Sequence, residues 1–100
     1  MASFEWAGEK SEWNRPRRGF AFNEARFVWD DPYAEEFFDT WHSEDEPRYA
    51  TLGYAGPRLL WVVFTVVNER EGRYRIISAR KATGSERRYY EEKRKSHENS

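Results

Sequence analysis

The sequence Tyr-Arg-Ile-Ile-Ser-Ala-Arg-Lys-Ala-Thr at residues 74–83 decides the fold, because it predicts a β-strand that leads into a helix. Its first six residues are rich in aromatic and β-branched side chains, which favour strands. Strict alternation puts residues 74, 76, 78 and 80 on one face of the sheet and residues 75, 77 and 79 on the other. Thr83 and Glu86 fit a capping box, in which each side chain accepts a backbone N–H of the other residue. We therefore predict a helix that starts near Thr83.

Further strands are predicted before this one. They occupy residues 33–41, 48–53 and 59–67, and the last two are followed by turns at residues 54–57 and 68–72. Short turns between alternating strands favour antiparallel pairing. Together with residues 74–80, the strands at 48–53 and 59–67 are expected to form a three-stranded antiparallel meander.

The register of this meander predicts a row of polar side chains across one sheet face. Pairing Leu52 with Trp61, and Val63 with Ile77, aligns three residues, namely Arg48, Thr65 and Arg75. Two guanidinium groups beside a hydroxyl form a plausible phosphate clamp. The alternative is that these arginines pair with acidic residues at a strand edge, such as Asp39 or Glu46.

The N-terminal half predicts a short strand and two short helices. Residues 4–6 alternate as a strand, and residues 8–14 form a helix that stops because of Pro16. Asn23 is predicted to cap a second helix, which ends at residues 30–32. The expected fold is therefore α+β, with two short N-terminal helices, a twisted antiparallel sheet and a C-terminal helix.

Length and composition exclude several classes of protein. One hundred residues predict a single domain, expected at residues 1–92 and followed by a polar, frayed tail at residues 93–100. Without cysteine there is no thiolate metal site, and with only His42 and His97 we expect no metal or other cofactor. No apolar run approaches the ~20 residues that span a bilayer, so we expect a cytosolic protein that does not contact membranes.

The charge is distributed unevenly along the chain. Residues 1–50 contain six Lys/Arg and twelve Asp/Glu, a net charge of −6, whereas residues 51–100 contain eleven and six, a net charge of +5. The total of −1 argues against a generic nucleic-acid binder, which is usually strongly basic. The basic half is either a binding surface or simply a solvated face, and the pattern leaves both open.

Short segments in both halves carry a family resemblance. In the first half they are Phe4-Glu5-Trp6, Lys10, Asn14, Gly19, Phe22-Asn23-Glu24-Ala25, Asp30-Asp31-Pro32, His42-Ser43, Glu46 and Arg48. In the second half they are Leu59-Leu60, Val62-Val63, the specific run from Arg75 to Arg80, Ala82, Glu86, Arg87 and Tyr90. This pattern, over nearly all of residues 4–92, resembles the BrnT-like toxins of bacterial type II toxin–antitoxin modules, a ribonuclease family related in fold to RelE.

The resemblance implies metal-free RNA cleavage, in which a ribose 2′-OH attacks the adjacent phosphate. Such a reaction needs a base, an acid and fixed cations. The expected catalytic residues are His42, Arg48, Arg75, Arg80 and Tyr90, and the expected substrate-binding residues are Arg17, Arg18 and Lys81. His42 would transfer protons, unless it only caps a turn. Tyr90 would stack on a base, unless its helix face packs on the sheet.

One position departs from the family pattern. The family commonly carries a Lys-His-Gly step before its second helix, whereas this chain has Arg17-Arg18-Gly19. A guanidinium does not give up its proton near neutral pH, so Arg18 is expected to hold phosphate and not to move protons. Pro16 is also expected to shorten the first helix and to shift both arginines.

The resemblance also implies a protein partner. This partner is an antitoxin, BrnA-like, which binds DNA and represses its own operon as a hetero-oligomer with the toxin, so that DNA is contacted only indirectly. Exposed tryptophans often anchor such interfaces, and the chain has five: Trp6, Trp13, Trp29, Trp41 and Trp61. The alternative function is therefore a catalytically impaired homologue that serves as an antitoxin-binding co-repressor.

Overall fold

A five-stranded mixed sheet organises the part of the chain that the computed structural model describes, residues 2–39 and 46–99. The strands are β1 Ser3–Trp6, β2 Glu35–Phe38, β3 Tyr49–Ala55, β4 Arg58–Asn68 and β5 Arg73–Lys81. The helices are α1 Gly8–Arg18, α2 Phe22–Ala25, which continues as a 3₁₀ turn Arg26–Asp30, and α3 Gly84–Glu98. The spatial order of the strands is β1-β5-β4-β3-β2. The predicted α+β class is confirmed.

Strands β3, β4 and β5 form the predicted antiparallel meander. Leu52 pairs with Trp61, as the sequence predicts, and the turns close at Gly56 and Gly72, both with positive φ. A β-bulge then shifts the second register by one residue, since Val63 pairs with Ser78 and not with Ile77. From Phe64 to Val66 the pairing follows the predicted register, and a second irregularity shifts it again before Asn68, which pairs with Arg73.

The bulge changes which side chains of β5 share a face. Ile76 and Ala79 both belong to the core cluster, although they lie three residues apart. Strict alternation cannot produce this spacing, and the extra residue Ile77 explains it. Arg75 and Arg80 pair with Thr65 and Trp61 of β4 and lie on one face, so the prediction that they point to opposite faces is wrong.

The two edge strands differ in direction and length from the prediction. β1 pairs parallel with β5, aligning Phe4 with Tyr74, so the sheet is mixed and not wholly antiparallel. Side chains alternate with the same period of two in parallel and in antiparallel strands, so the four residues of β1 carry no signal for the direction of pairing. β2 is shorter than the predicted strand at 33–41, and Trp41 lies outside the described residues.

Helix α1 continues through Pro16, so the prediction that it stops there is wrong. Proline removes one backbone donor, but Pro16 lies in the last turn, where the remaining bonds persist. The N–H of Gly19 donates to the carbonyl oxygen of Arg15 at 2.9 Å, and Gly19 ends the helix with φ 83°. Arg17 and Arg18 therefore stay in the last turn of α1.

Side chains of α1 fix the start of α2. The Ser11 hydroxyl accepts the N–H of Phe22 at 3.0 Å, and the Asn14 side-chain amide donates to the carbonyl oxygen of Phe20 at 2.8 Å. The residue in the capping position is Ala21, so the prediction that Asn23 caps this helix is wrong. The first backbone N–H groups of a helix need an acceptor, and here Ser11 of α1 accepts the N–H of Phe22 in place of a local cap.

Each face of the sheet has its own apolar cluster. The α1 and α2 face buries a cluster that includes Phe20, Phe22, Val28, Leu60, Val62 and Ile76. The opposite face buries Leu52, Leu59 and Tyr90 beneath α3. The predicted capping box of Thr83 and Glu86 is present at the start of α3, and this helix continues to Glu98, beyond the domain end expected at residue 92.

Candidate functional site

A cationic groove lies where β5 extends beyond the end of β1. β1 pairs with β5 only as far as Ile76, and past that point the last turn of α1 faces the end of β5 across a cavity of about 350 Å³. The cavity is lined by Arg17, Arg18, Arg80, Lys81, Ala82 and Thr83. We call this set the cationic groove. Four of the eight predicted site residues therefore meet in one place.

The N-terminus of α3 adds to the positive potential of the groove. Thr83 lines the groove and is also the N-cap of this 15-residue helix. Its hydroxyl accepts the N–H of Glu86 at 3.2 Å. The N-terminal end of a helix carries a partial positive charge, and anions are favoured near it. The groove is thus suited to a phosphate or another oxyanion.

Arg80 is held in place by Glu86. Its two terminal nitrogens donate to the two carboxylate oxygens of Glu86 at 2.8 and 2.9 Å, and its guanidinium lies 5.3 Å from the ring centre of Trp61. The hydrogen bond from Arg80 is the main reason that the pKa of Glu86 is lowered. Glu86 is consequently an ionised partner that orients Arg80 at the groove.

The predicted row on the sheet face is present but lies apart from the groove. Thr65 pairs with Arg75, and the register of β3 and β4 continues to place Arg48 opposite Thr65. Arg75 and Arg80 are five residues apart, roughly 16 Å along an extended strand. A single phosphate cannot contact both. The predicted clamp therefore divides into two positions along β5.

Arg75 is also paired with an acidic side chain, although not one that was anticipated. Its Nε and Nη2 atoms donate to Glu5 at 3.2 and 3.0 Å, directly across the parallel strand pair. Between the arginine positions, the Thr65 hydroxyl is buried and has no hydrogen-bond partner. Since both side chains of the Arg75–Glu5 pair are about two-fifths exposed, the pair is weak and exchangeable.

Tyr90 has the structural role that the sequence left as an alternative. It is 1% exposed, and its hydroxyl donates to Asp31 at 2.6 Å. Burial, and then the bond to Asp31, raise the pKa of this phenol. Tyr89 is the exposed neighbour and packs beside Phe37. These contacts favour the packing role for Tyr90 over base stacking.

His42, the predicted proton-transfer residue, lies outside the described residues. His97 lies near the end of α3, 3.9 Å from Glu35. Within residues 2–39 and 46–99 no group of three or more His, Cys, Asp or Glu side chains is arranged to hold a metal ion. None of the helices in those same ranges is long and apolar enough to cross a membrane.

Sequence reasoning did not connect two residues, Trp13 and Glu86, with the groove. Trp13 is 49% exposed, and the Arg17 guanidinium lies 4.5 Å from its ring centre. The spacing of four residues between Trp13 and Arg17 would be the signal for that contact, but only on a helix that continues past Pro16, which the sequence did not predict. Glu86 was assigned only to the capping box, although it also binds Arg80.

A family model described as "Ribonuclease toxin, BrnT, of type II toxin-antitoxin system" matches residues 6–86. The matched span contains all four cations of the groove, together with His42, Arg48 and Arg75, and ends before Tyr90. Comparison with curated proteins gives no match.

Proposed function

Because that match covers most of the 100 residues, the chain belongs to the BrnT family of ribonuclease toxins of type II toxin–antitoxin systems, and we propose that its cationic groove binds the phosphate of the RNA to be cleaved. The observation that carries this proposal is the convergence of Arg17, Arg18, Arg80 and Lys81 on one cavity. Fixed cations stabilise the negative charge that grows on phosphorus in the transition state.

The proposed reaction needs no metal. The 2′-OH loses its proton to a base, and its oxygen bonds to the adjacent phosphorus. The bond from phosphorus to the 5′-oxygen breaks, and that oxygen takes a proton, leaving a 2′,3′-cyclic phosphate and a 5′-hydroxyl. A guanidinium is a hydrogen-bond donor and not a proton carrier, so the role proposed for Arg18 is to hold the phosphate. We assign proton transfer to His42. If this assignment is right, the cleavage rate of the wild type changes with pH near neutrality, and the cleavage rate of His42→Ala does not.

The pair of Arg48 and Arg75 is proposed as a second contact on the same strand of RNA, whereas the Thr65 hydroxyl between them is buried. It lies on the same sheet face as Arg80, roughly 16 Å away along β5, so it would meet a phosphate further along the strand and not the adjacent one. The weak pair with Glu5 leaves Arg75 free to exchange its partner. Cleavage of a long RNA is therefore expected to depend on Arg75 more than cleavage of a short one.

A type II toxin acts with an antitoxin partner. We propose that this antitoxin is BrnA-like, that the two form a hetero-oligomer in the bacterial cytoplasm, and that the complex reaches DNA only through the antitoxin. Acidic side chains of the antitoxin would compete with RNA for the groove, since both are anionic. Release of RNA cleavage on removal of the antitoxin tests this part of the proposal.

Substitution of Arg80 tests the groove directly. We expect Arg80→Ala to slow cleavage of a mixed-base RNA about 100- to 1,000-fold, as loss of a transition-state oxyanion contact does. Arg58→Ala is the matched control, since Arg58 is similarly exposed (38% against 35%) and is also paired with a glutamate, Glu24. Equal rates for both variants, or a loss of rate explained by a large fall in melting temperature, would contradict the proposal.

A further inference from the structure

A second cavity, of about 440 Å³, adjoins the cationic groove between α1 and β5. The exposed area of its lining is mainly apolar and includes Trp13, Phe22 and Ile77. The polar groups at the cavity come from Glu9, Lys10, Asn14, Arg18 and Ser78. Arg18 lines both cavities, so the two are neighbours. An apolar cavity of this size with a few polar groups has the properties of a small-molecule site.

Trp13 makes this cavity unlike an ordinary gap in surface packing. Half of the residue is exposed, although a large aromatic side chain gains by burial. Two guanidinium groups lie against its ring, that of Arg17 at 4.5 Å from the ring centre and that of Arg18 at 5.7 Å, and Arg17 also donates to the backbone carbonyl oxygen of Trp13 at 3.0 Å. The part of the indole that lines the cavity, next to an anion site, offers a surface on which an aromatic ligand can stack.

A nucleotide has the matching arrangement of groups, a flat aromatic base with polar edges, attached through the ribose to an anionic phosphate. We propose that the cavity beside Trp13 binds the nucleobase adjoining the phosphate that the cationic groove holds. This inference rests on the proposed function of the groove. Base stacking on an aromatic side chain tolerates any sequence, so the cavity contributes affinity and positioning for single-stranded RNA.

The test uses a single-stranded 2′-O-methyl oligonucleotide, which binds but lacks the attacking hydroxyl, and a set of copies with one abasic site at successive positions. With the wild-type protein, one abasic position is expected to weaken binding about tenfold to a hundredfold. Trp13→Ala is expected to weaken binding of the intact oligonucleotide by the same factor, and the abasic site should then have no further effect. Trp13→Phe, which keeps an aromatic face, should restore most of the affinity.

Phe27→Ala is the matched control, because Phe27 is also exposed and also lies beneath an arginine, Arg26, at 4.1 Å. It should leave binding unchanged. If an abasic site weakens binding equally at every position, the base site is refuted and the groove stands. The same conclusion follows if Trp13→Ala binds the oligonucleotide normally while Lys81→Ala binds it weakly. If neither variant changes binding, the proposed function itself fails. If Trp13→Ala weakens binding of the antitoxin but not of the oligonucleotide, the cavity is a protein-docking site and the inference is refuted.

Discussion

At the scale of single residues, Asp31 links three parts of the fold. One carboxylate oxygen accepts the N–H of Tyr33 at 2.9 Å, and the other accepts the N–H of Tyr54 at 2.8 Å and the hydroxyl of Tyr90 at 2.6 Å. These donors lie after the 3₁₀ turn, in β3 and in α3. Hydrogen bonds to a charged group are among the stronger ones in proteins, so Asp31 ties α3 to the rest of the molecule.

Substitution of Tyr90 separates a structural from a catalytic role. We expect Tyr90→Phe to lower the free energy of unfolding by about 1.5–3 kcal/mol, the usual contribution of a bond to a charged group, and to leave the cleavage rate of the folded protein unchanged. Because burial and Asp31 raise the pKa of Tyr90, its contribution to stability is present below the ordinary tyrosine pKa and is lost as the pH rises towards the raised value.

Denaturant unfolding measured between neutral and alkaline pH checks this expectation. The wild type should lose more stability above about pH 10 than Tyr90→Phe does, since only the wild type has this phenol. Normal stability of the variant together with loss of RNA cleavage would instead return Tyr90 to the catalytic residues.

At the scale of elements, the sequence predicts best where a repeating pattern specifies the structure. The meander follows from alternation and short turns, and the start of α3 follows from Thr83 and Glu86, whose side chains satisfy local backbone donors. The bulge at Ile77 has no such signature, because its position depends on packing against β4. The prediction that α1 stops at Pro16 fails for a similar reason, since tertiary contacts of Ser11 and Asn14 hold α1 and the following chain together.

Glu86 connects the start of α3 with the groove, and its titration should be measurable. Its lowered pKa means that it contributes stability above the ordinary glutamate pKa, and that this contribution is lost as the pH falls through the lowered value. We expect Glu86→Gln to melt at a lower temperature than the wild type at pH 7, and the difference to shrink in acid.

Glu98→Gln provides the control for this measurement. Glu98 also pairs with an arginine, Arg94, but in an exposed pair near the end of the same helix. Exposed pairs of this kind contribute little, so the melting temperature of this variant should follow that of the wild type at every pH. A constant difference between Glu86→Gln and the wild type, at all pH values, would show that the carboxylate charge is not what stabilises this end of α3.

At the scale of the whole molecule, the candidate site joins residues that are far apart in the sequence. Arg17 and Arg18 come from the acidic half of the chain, and Arg80 and Lys81 from the basic half. All four were predicted to be site residues, but the charge pattern could not show that they share a groove. That grouping follows from the pairing of β1 with β5 and from the continuation of α1 past Pro16, and neither was predicted.

The net charge of −1 makes the salt dependence of RNA binding a test of this grouping. Each phosphate contact with a single strand contributes about −0.7 to the slope of log K against log salt concentration. One phosphate held in the groove predicts a slope of about −0.7, and a second phosphate at Arg48 and Arg75 brings it to about −1.4. Lys81→Gln should weaken binding at low salt, whereas Lys93→Gln, on α3 beside Tyr89, should not. Titration of an uncleavable oligonucleotide at several salt concentrations measures these slopes. A wild-type slope far steeper than about −1.4 would mean that RNA spreads over the basic half of the chain, and the groove would then be only a small part of the binding surface.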